Sequence, residues 1–117
     1  MEIKIRRLKD RRIGLFLNKE LKDKVQAYKD EDRYTISKLM RGAIYDIIDG
    51  KMEAPPVYES EDSKVVSTFV LRLTLPRYEE MVQFIEDNNY NSVNKFLRSV
   101  VAHSLPEIRR KYEIDTN

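Results

Sequence analysis

Cysteine and tryptophan are absent from the sequence, and His103 is its one histidine. Without cysteine there is no disulfide, no thiolate metal ligand and no cysteine nucleophile. A single histidine excludes a metal site built from several histidines and argues against a histidine-based catalytic triad. No apolar run approaches the roughly 18 residues of a membrane-spanning helix, and no apolar segment of a secretory signal follows the basic N-terminal residues. These absences predict a cytoplasmic protein that is not an enzyme, stays out of membranes and uses no metal, cofactor or small-molecule ligand.

Charge is abundant but unevenly distributed. Lysine and arginine number 22 and aspartate and glutamate 20 in a chain of 117 residues, so the net charge is only +2. The first 12 residues nevertheless hold six basic side chains against two acidic ones. A basic arm over residues 1–11 suits contact with phosphate groups. A solvated terminus that keeps the protein soluble explains the same composition equally well.

The middle of the chain has the composition of a linker. Residues 49–66 combine a glycine, two adjacent prolines and an excess of acidic side chains. The pair Pro55–Pro56 prevents regular backbone hydrogen bonding, which excludes a helix or an interior strand there. A segment of about 40 residues lies on each side, too short to fold without a partner.

The two flanking segments repeat one pattern. Residues 35–44 and 92–101 match at an offset of 57, with a lysine and an arginine at identical places and the other positions conserved in type. Apolar residues recur at i, i+3 and i+4 in both copies, which predicts two amphipathic helices opened by the capping hydroxyls of Thr35 and Ser92. A second apolar stripe before each copy predicts another helix, separated from the first by a polar turn.

A short alternating run precedes the helices in each copy. Leucine and isoleucine occupy every second position over residues 13–17 and 71–75, at an offset of 58, which predicts two short strands. A lone strand needs a partner for its backbone groups, and the other strand available is in the other half of the chain. We therefore expect a mostly α-helical fold with a two-stranded antiparallel β-ribbon.

The order strand, helix, turn, helix, with the motifs at residues 75–80 and 91–98, resembles the ribbon-helix-helix family of the Arc and methionine-repressor proteins. The resemblance covers about residues 12–48 and 69–105, and it implies one motif over residues 12–48 and a second over residues 67–105. Family members are usually homodimers of one motif, whereas two motifs in one chain are similar to regulators encoded by archaeal viruses. The resemblance implies an intramolecular pseudo-dimer, acting in the host cytoplasm if the protein is viral.

The resemblance also implies a sequence-specific, double-stranded DNA-binding transcription regulator, a repressor with activation also open. The ribbon would enter the major groove, where alternate residues contact base edges. Since the apolar residues must face the helices, the pleat turns six residues outward: Arg12, Gly14, Phe16, Val70, Arg72 and Thr74. Because the two strands differ chemically, we expect an asymmetric half-site.

The beginnings of the second helices are the predicted phosphate contacts, because free N–H groups and the positive end of the helix dipole lie there. The residues concerned are Thr35, Ser37, Lys38, Ser92, Asn94 and Lys95. Helix capping with a solvent-facing lysine is the plainer interpretation of the same residues, and both roles are compatible.

Several alternatives stay open at this point. Phe16 has three possible roles: contact with a thymine methyl, contact between protein molecules, or packing of the N-terminal arm. Gly14 either permits close approach to DNA or marks a bulge. The C-terminal tail, residues 106–117, either docks on the core as a short helix or mediates association.

Partners are expected to include a second copy as well as DNA. Family members bind as assemblies along adjacent sites, so we expect self-association into dimers or larger assemblies on DNA. The rival function is an antitoxin that binds a toxin through its tail and regulates its own operon.

Overall fold

The computed structural model describes residues 10–29 and 35–116. The first half contains β1 (Asp10–Leu17), α1 (Lys19–Lys29) and α2 (Ile36–Ile48). The second half contains β2 (Ser67–Thr74), α3 (Leu75–Asp87), α4 (Val93–Ser99), a π-helical turn (Val100–Ser104) and α5 (Leu105–Thr116). Over these ranges the protein is mostly helical with one two-stranded antiparallel sheet, so the coarse fold prediction is confirmed.

The two strands pair in a register that buries one face of the sheet. Ile13 lies opposite Leu71, and the inward side chains are buried against the helices: Ile13, Leu15, Leu17, Leu71 and Leu73. This is the inward face that the alternation predicted. Both strands begin earlier than the alternating runs, at Asp10 and Ser67. Leu75 does not continue β2 as expected, because it is the first residue of α3 and is only partly buried.

Helix capping accounts for where the helices begin. The side-chain oxygen of Asn18 accepts from the backbone N–H of Leu21 at 2.9 Å, which caps α1 directly after the strand. Thr35 and Ser92 cap α2 and α4, as predicted. Pro76 lies in the first turn of α3, where its missing N–H leaves no intrahelical bond unmade.

The C-terminal tail is a continuation of α4. The helix runs through a π-helical turn into α5, with Leu105 and Ile108 completely buried. Pro106 has no N–H, so the carbonyl of Ala102 loses its α-helical donor, and the Nζ of Lys24 donates to that carbonyl at 3.2 Å. The tail therefore forms a helix docked on the core, which was one of the two interpretations of the sequence.

Helix α5 packs across α2 at a point of close approach. A Cβ atom on Gly42 would lie 2.0 Å from the Oη of Tyr112, so the two helices can meet only because residue 42 has no side chain. The Nζ of Lys111 forms an ion pair with Asp46 at 2.6 Å, and the Nζ of Lys38 lies 5.8 Å from the Tyr112 ring centroid.

The linker is packed on the core. Met52 and Pro55 are buried, and Tyr90 donates a hydrogen bond from its hydroxyl to the carbonyl of Pro55. The N–H of Tyr58 donates to the Oγ of Ser99 at 2.9 Å. Ser99 is the repeat equivalent of Gly42. The same small position therefore receives the linker in one copy of the repeat and α5 in the other.

An ion pair joins the start of the linker to α3. Arg77 donates to Asp49 at 2.7 Å, and this hydrogen bond lowers the pKa of Asp49. The same guanidinium lies 4.7 Å from the ring centroid of Tyr45. Among the helices described, none is both long and apolar enough to cross a bilayer.

Candidate nucleic-acid interface

The outer face of the sheet consists of four cross-strand pairs. From one end to the other they are Asp10–Thr74, Arg12–Arg72, Gly14–Val70 and Phe16–Thr68. All six residues predicted to point outward are on this face; Gly14 and Thr74 are partly buried and the other four are exposed. The sequence interpretation missed Asp10 and Thr68, because it began both strands too late.

Two arginines face each other near one end of this surface. Arg12 and Arg72 are directly opposite and exposed, and no ion pair with either is formed by the residues described. Like charges at directly opposite positions destabilise a sheet. Asp10 lies two residues before Arg12 on the same face but makes no ion pair with it. The pair therefore presents ten guanidinium N–H donors to solvent, since each guanidinium carries about five.

The half of the outer face toward Thr68 is apolar. Val70 is 56% exposed and Phe16 is 44% exposed, although both are large hydrophobic side chains. A Cβ atom on Gly14 would lie 3.8 Å from the Cζ of Phe16, so the phenyl ring leans along the strand over the glycine. Pairing continues through Gly14 without an inserted residue, so the bulge that had been one interpretation of this glycine is not formed.

Asn94 holds the free edge of β1. Its Oδ1 accepts from the N–H of Phe16 at 2.9 Å and its Nδ2 donates to the carbonyl of Gly14 at 3.0 Å. These bonds satisfy backbone groups that an edge strand would otherwise expose. The structure thus gives the Asn94 amide a positioning task, and its predicted contact with phosphate stays a prediction.

The two helix beginnings are built alike at the cap and differ around it. The Oγ1 of Thr35 accepts from the N–H of Lys38 at 3.1 Å, and the Oγ of Ser92 accepts from the N–H of Lys95 at 3.0 Å. Ser37 is half-buried on the first turn of α2. The ammonium of Lys38 lies by α5, whereas Lys95 borders a cavity beside the sheet. Equivalent positions of the repeat therefore have unlike surroundings.

That cavity lies at the Phe16 end of the sheet and has a volume of about 590 Å³. The acidic part of the linker forms one wall, and two basic residues of α4 form another; the charged lining residues are Glu59, Glu61, Asp62, Lys95 and Arg98. Asn18 fixes the linker there, since its Nδ2 donates to the hydroxyl of Tyr58 and to the carbonyl of Asp62, both at 3.0 Å. Negative charge is thereby held next to one predicted phosphate contact.

The basic arm lies almost wholly outside the described residues. Asp10 and Arg11, its last two positions in the sequence interpretation, belong to β1. The guanidinium of Arg11 lies 5.1 Å from the ring centroid of Tyr78 at the edge of the sheet. In residues 10–29 and 35–116 there is no group of three or more histidine, aspartate or glutamate side chains that could hold a metal ion.

Comparison of the chain with models of protein families, with characterised proteins and with solved structures found no match to any of them.

Proposed function

We propose that the protein is a sequence-specific, double-stranded DNA-binding transcription regulator, acting as a repressor, that inserts β1 and β2 into the major groove. The observation that carries the proposal is the facing pair Arg12 and Arg72. Two exposed guanidinium groups at opposite positions, with no ion pair to any residue in 10–29 or 35–116, raise the free energy of the isolated sheet. A partner that supplies lone pairs and negative charge removes that penalty, and guanine edges between two phosphate backbones supply both.

The shape of the surface supports this partner. A two-stranded ribbon has the width that the major groove of B-DNA admits, about 12 Å. The outer face carries no helix or linker over it in the described part of the chain, since the helices pack on the opposite face. A groove can therefore reach all four cross-strand pairs at once.

The proposal includes a tandem ribbon-helix-helix architecture in which the two halves form a pseudo-dimer. The strand register supports it. Ile13 pairs with Leu71, and the offset of 58 between the strand repeats makes these two residues equivalents. The same offset makes the neighbouring pair Arg12–Arg72 equivalent to the pair Gly14–Val70 on the other side. A two-fold axis through the sheet requires this equivalence.

Anchoring to the phosphates is assigned to the beginnings of α2 and α4. Each has free N–H groups in its first turn and a lysine three residues after the cap, Lys38 or Lys95. Such contacts position the protein along the duplex and carry no sequence information themselves. They also make affinity depend on salt.

Selection of bound sites from a randomised duplex pool at near-physiological salt tests the proposal. The expected result is one enriched motif that is asymmetric within the site. Arg12→Ala and Arg72→Ala should each weaken binding to that motif by about 10-fold or more, the equivalent of about 1–3 kcal/mol per bidentate contact, and relax the base preference. Arg110→Ala, at an exposed arginine on α5, is the matched control and should leave affinity unchanged.

Replacement of the anchoring lysines gives a different expected result. Lys38→Ala and Lys95→Ala should weaken binding to all sequences alike and flatten the dependence of affinity on salt. The proposal is refuted if no motif is enriched and Arg12→Ala binds every duplex tested as tightly as Arg110→Ala does.

The antitoxin alternative gains no support from the tail. In such proteins the tail is the element that would hold the toxin, but here Leu105 and Ile108 are completely buried and Tyr112 packs on Gly42. The apolar side chains of the tail, through residue 112, are thus already in contact with this chain.

A further inference from the structure

We infer that the outer face reads its DNA site in a fixed order, with guanine at the Arg12–Arg72 pair and thymine methyl groups on one side of it, under Phe16 and Val70. The inference rests on the proposed function, because it assigns base preferences to the same surface. It goes further in stating a polarity: the large apolar side chains lie on the side of the guanines toward Thr68, so the stronger thymine contacts are expected there. The Asp10–Thr74 pair on the other side offers only the γ-methyl of Thr74, which is partly buried.

The inference depends on the apolar half of the face. In the major groove the thymine C5-methyl is the largest apolar group that unmodified base pairs display; apart from small C–H edges, the other groups there are hydrogen-bond donors or acceptors. Phe16 and Val70 have no polar atoms in their side chains. If these side chains covered a donor or acceptor of a base, they would displace its water without replacing the hydrogen bond, which costs free energy. If they cover a methyl group, both apolar surfaces are removed from water, which is favourable.

The apolar surface is already formed before DNA is present. Asn94 holds the backbone of β1 on both sides of Leu15, through the carbonyl of Gly14 and the N–H of Phe16. The ring of Phe16 leans toward Gly14, and a Cβ atom there would be in ordinary contact with the ring at 3.8 Å. Little conformational entropy is therefore lost when the face meets a flat apolar partner.

The register sets the spacing along the site. Gly14–Val70 is two residues per strand from the arginine pair and Phe16–Thr68 is four. At about 3.4 Å per strand residue these distances are about 7 and 14 Å. One base pair occupies about 3.4 Å along the duplex axis. The thymines are therefore expected within about two to four base pairs of the guanines, on one side.

Deoxyuridine substitution in the selected duplex tests the inference with the unaltered protein. Replacing one thymine at a time by deoxyuridine removes its methyl group and leaves every hydrogen-bonding group in place. We expect Kd to rise about fourfold per contacted methyl, the effect of losing one buried carbon, at a cluster of positions on one side of the guanines. A 5-bromodeoxyuridine at the same position should restore affinity, because bromine replaces the volume of the methyl.

Variants connect the effect to the two side chains. In Val70→Ala and in Phe16→Ala the penalty for deoxyuridine should shrink toward onefold at the nearest thymine. Val57→Ala, at a linker valine that is 38% exposed and lies off the sheet, should retain the full penalty. Urea denaturation of Val70→Ala and Phe16→Ala separates a loss of apolar contact from a loss of folding.

The outcomes separate this inference from the proposed function. If a motif is selected and deoxyuridine changes Kd at no position, or changes it equally on both sides of the guanines, the inference is overturned while DNA reading stands. If no motif is selected, the proposed function fails first. If Phe16→Ala changes only the sedimentation coefficient and the deoxyuridine penalty is unchanged, the apolar half of the face joins protein molecules and the inference is again overturned.

Discussion

Whether Gly42→Ala stabilises or destabilises the protein should depend on the side chain at position 112. Alanine is favoured over glycine inside a helix by about 1 kcal/mol. At this position, however, the added Cβ would lie 2.0 Å from the Oη and 3.0 Å from the Cζ of Tyr112, and both contacts are too short for non-bonded atoms. The Tyr112 side chain must rotate away or α5 must shift, and overpacking of this kind costs about 1–3 kcal/mol. We expect Gly42→Ala to lower the free energy of unfolding by up to about 2 kcal/mol, the overpacking cost less the gain in helix propensity.

Removing the tyrosine ring should remove the conflict. In a Tyr112→Ala background the nearest remaining side-chain atom is the Cγ1 of Ile108 at 3.5 Å, an ordinary contact. There Gly42→Ala should raise the free energy of unfolding by about 1 kcal/mol through helix propensity alone. Urea denaturation of the wild type, the two single variants and the double variant measures the coupling as a cycle. Stabilisation by Gly42→Ala in the wild-type background would refute the close approach of α5 to α2.

Three further predictions concern contacts made across the fold. Asn94→Ala should lower the free energy of unfolding by about 1–2 kcal/mol, because two hydrogen bonds to the edge of β1 are lost, whereas Ser37→Ala at the equivalent repeat position should cost less than half as much in the same urea titration. Lys24→Met should cost about 1 kcal/mol and speed amide exchange in the π-helical turn, since the carbonyl left open by the proline loses its donor; unchanged exchange would contradict it. Glu59→Gln with Glu61→Gln should tighten duplex binding several-fold at about 50 mM salt and not at about 500 mM, in fluorescence anisotropy titrations, since carboxylates held beside a phosphate contact repel the backbone.

The inward face of the sheet was predictable because it depends on a local rule. Every second residue of a half-buried strand must be apolar, and Ile13, Leu15 and Leu17 satisfy that rule without reference to the rest of the chain. The ends of the strands were not predictable in the same way. Asp10 and Thr68 are outward positions that lie beyond the apolar alternation. Each belongs to its strand only because the opposite strand continues beside it.

The path of the tail could not be read locally either. A proline at position 106 ordinarily ends a helix, since its ring clashes with the preceding turn and its missing N–H leaves a carbonyl unsatisfied. Here the donor is Lys24, which comes from α1 and is distant in sequence. The task of Asn94 is of the same kind, because the backbone groups it satisfies belong to β1. Partners fixed by tertiary packing leave no periodic trace in the sequence.

The docked linker has a consequence for how the protein responds to its own abundance. Because β1 and β2 belong to one chain, the sheet is completed without a second molecule. The linker between the strands packs on the core at Met52, Pro55 and Tyr58. Exchange of strands between chains would first have to break these contacts. A folding equilibrium of that kind does not shift on dilution, unlike that of a homodimer, whose folded fraction falls with protomer concentration. At a few copies per cell the two halves of the sheet therefore stay together.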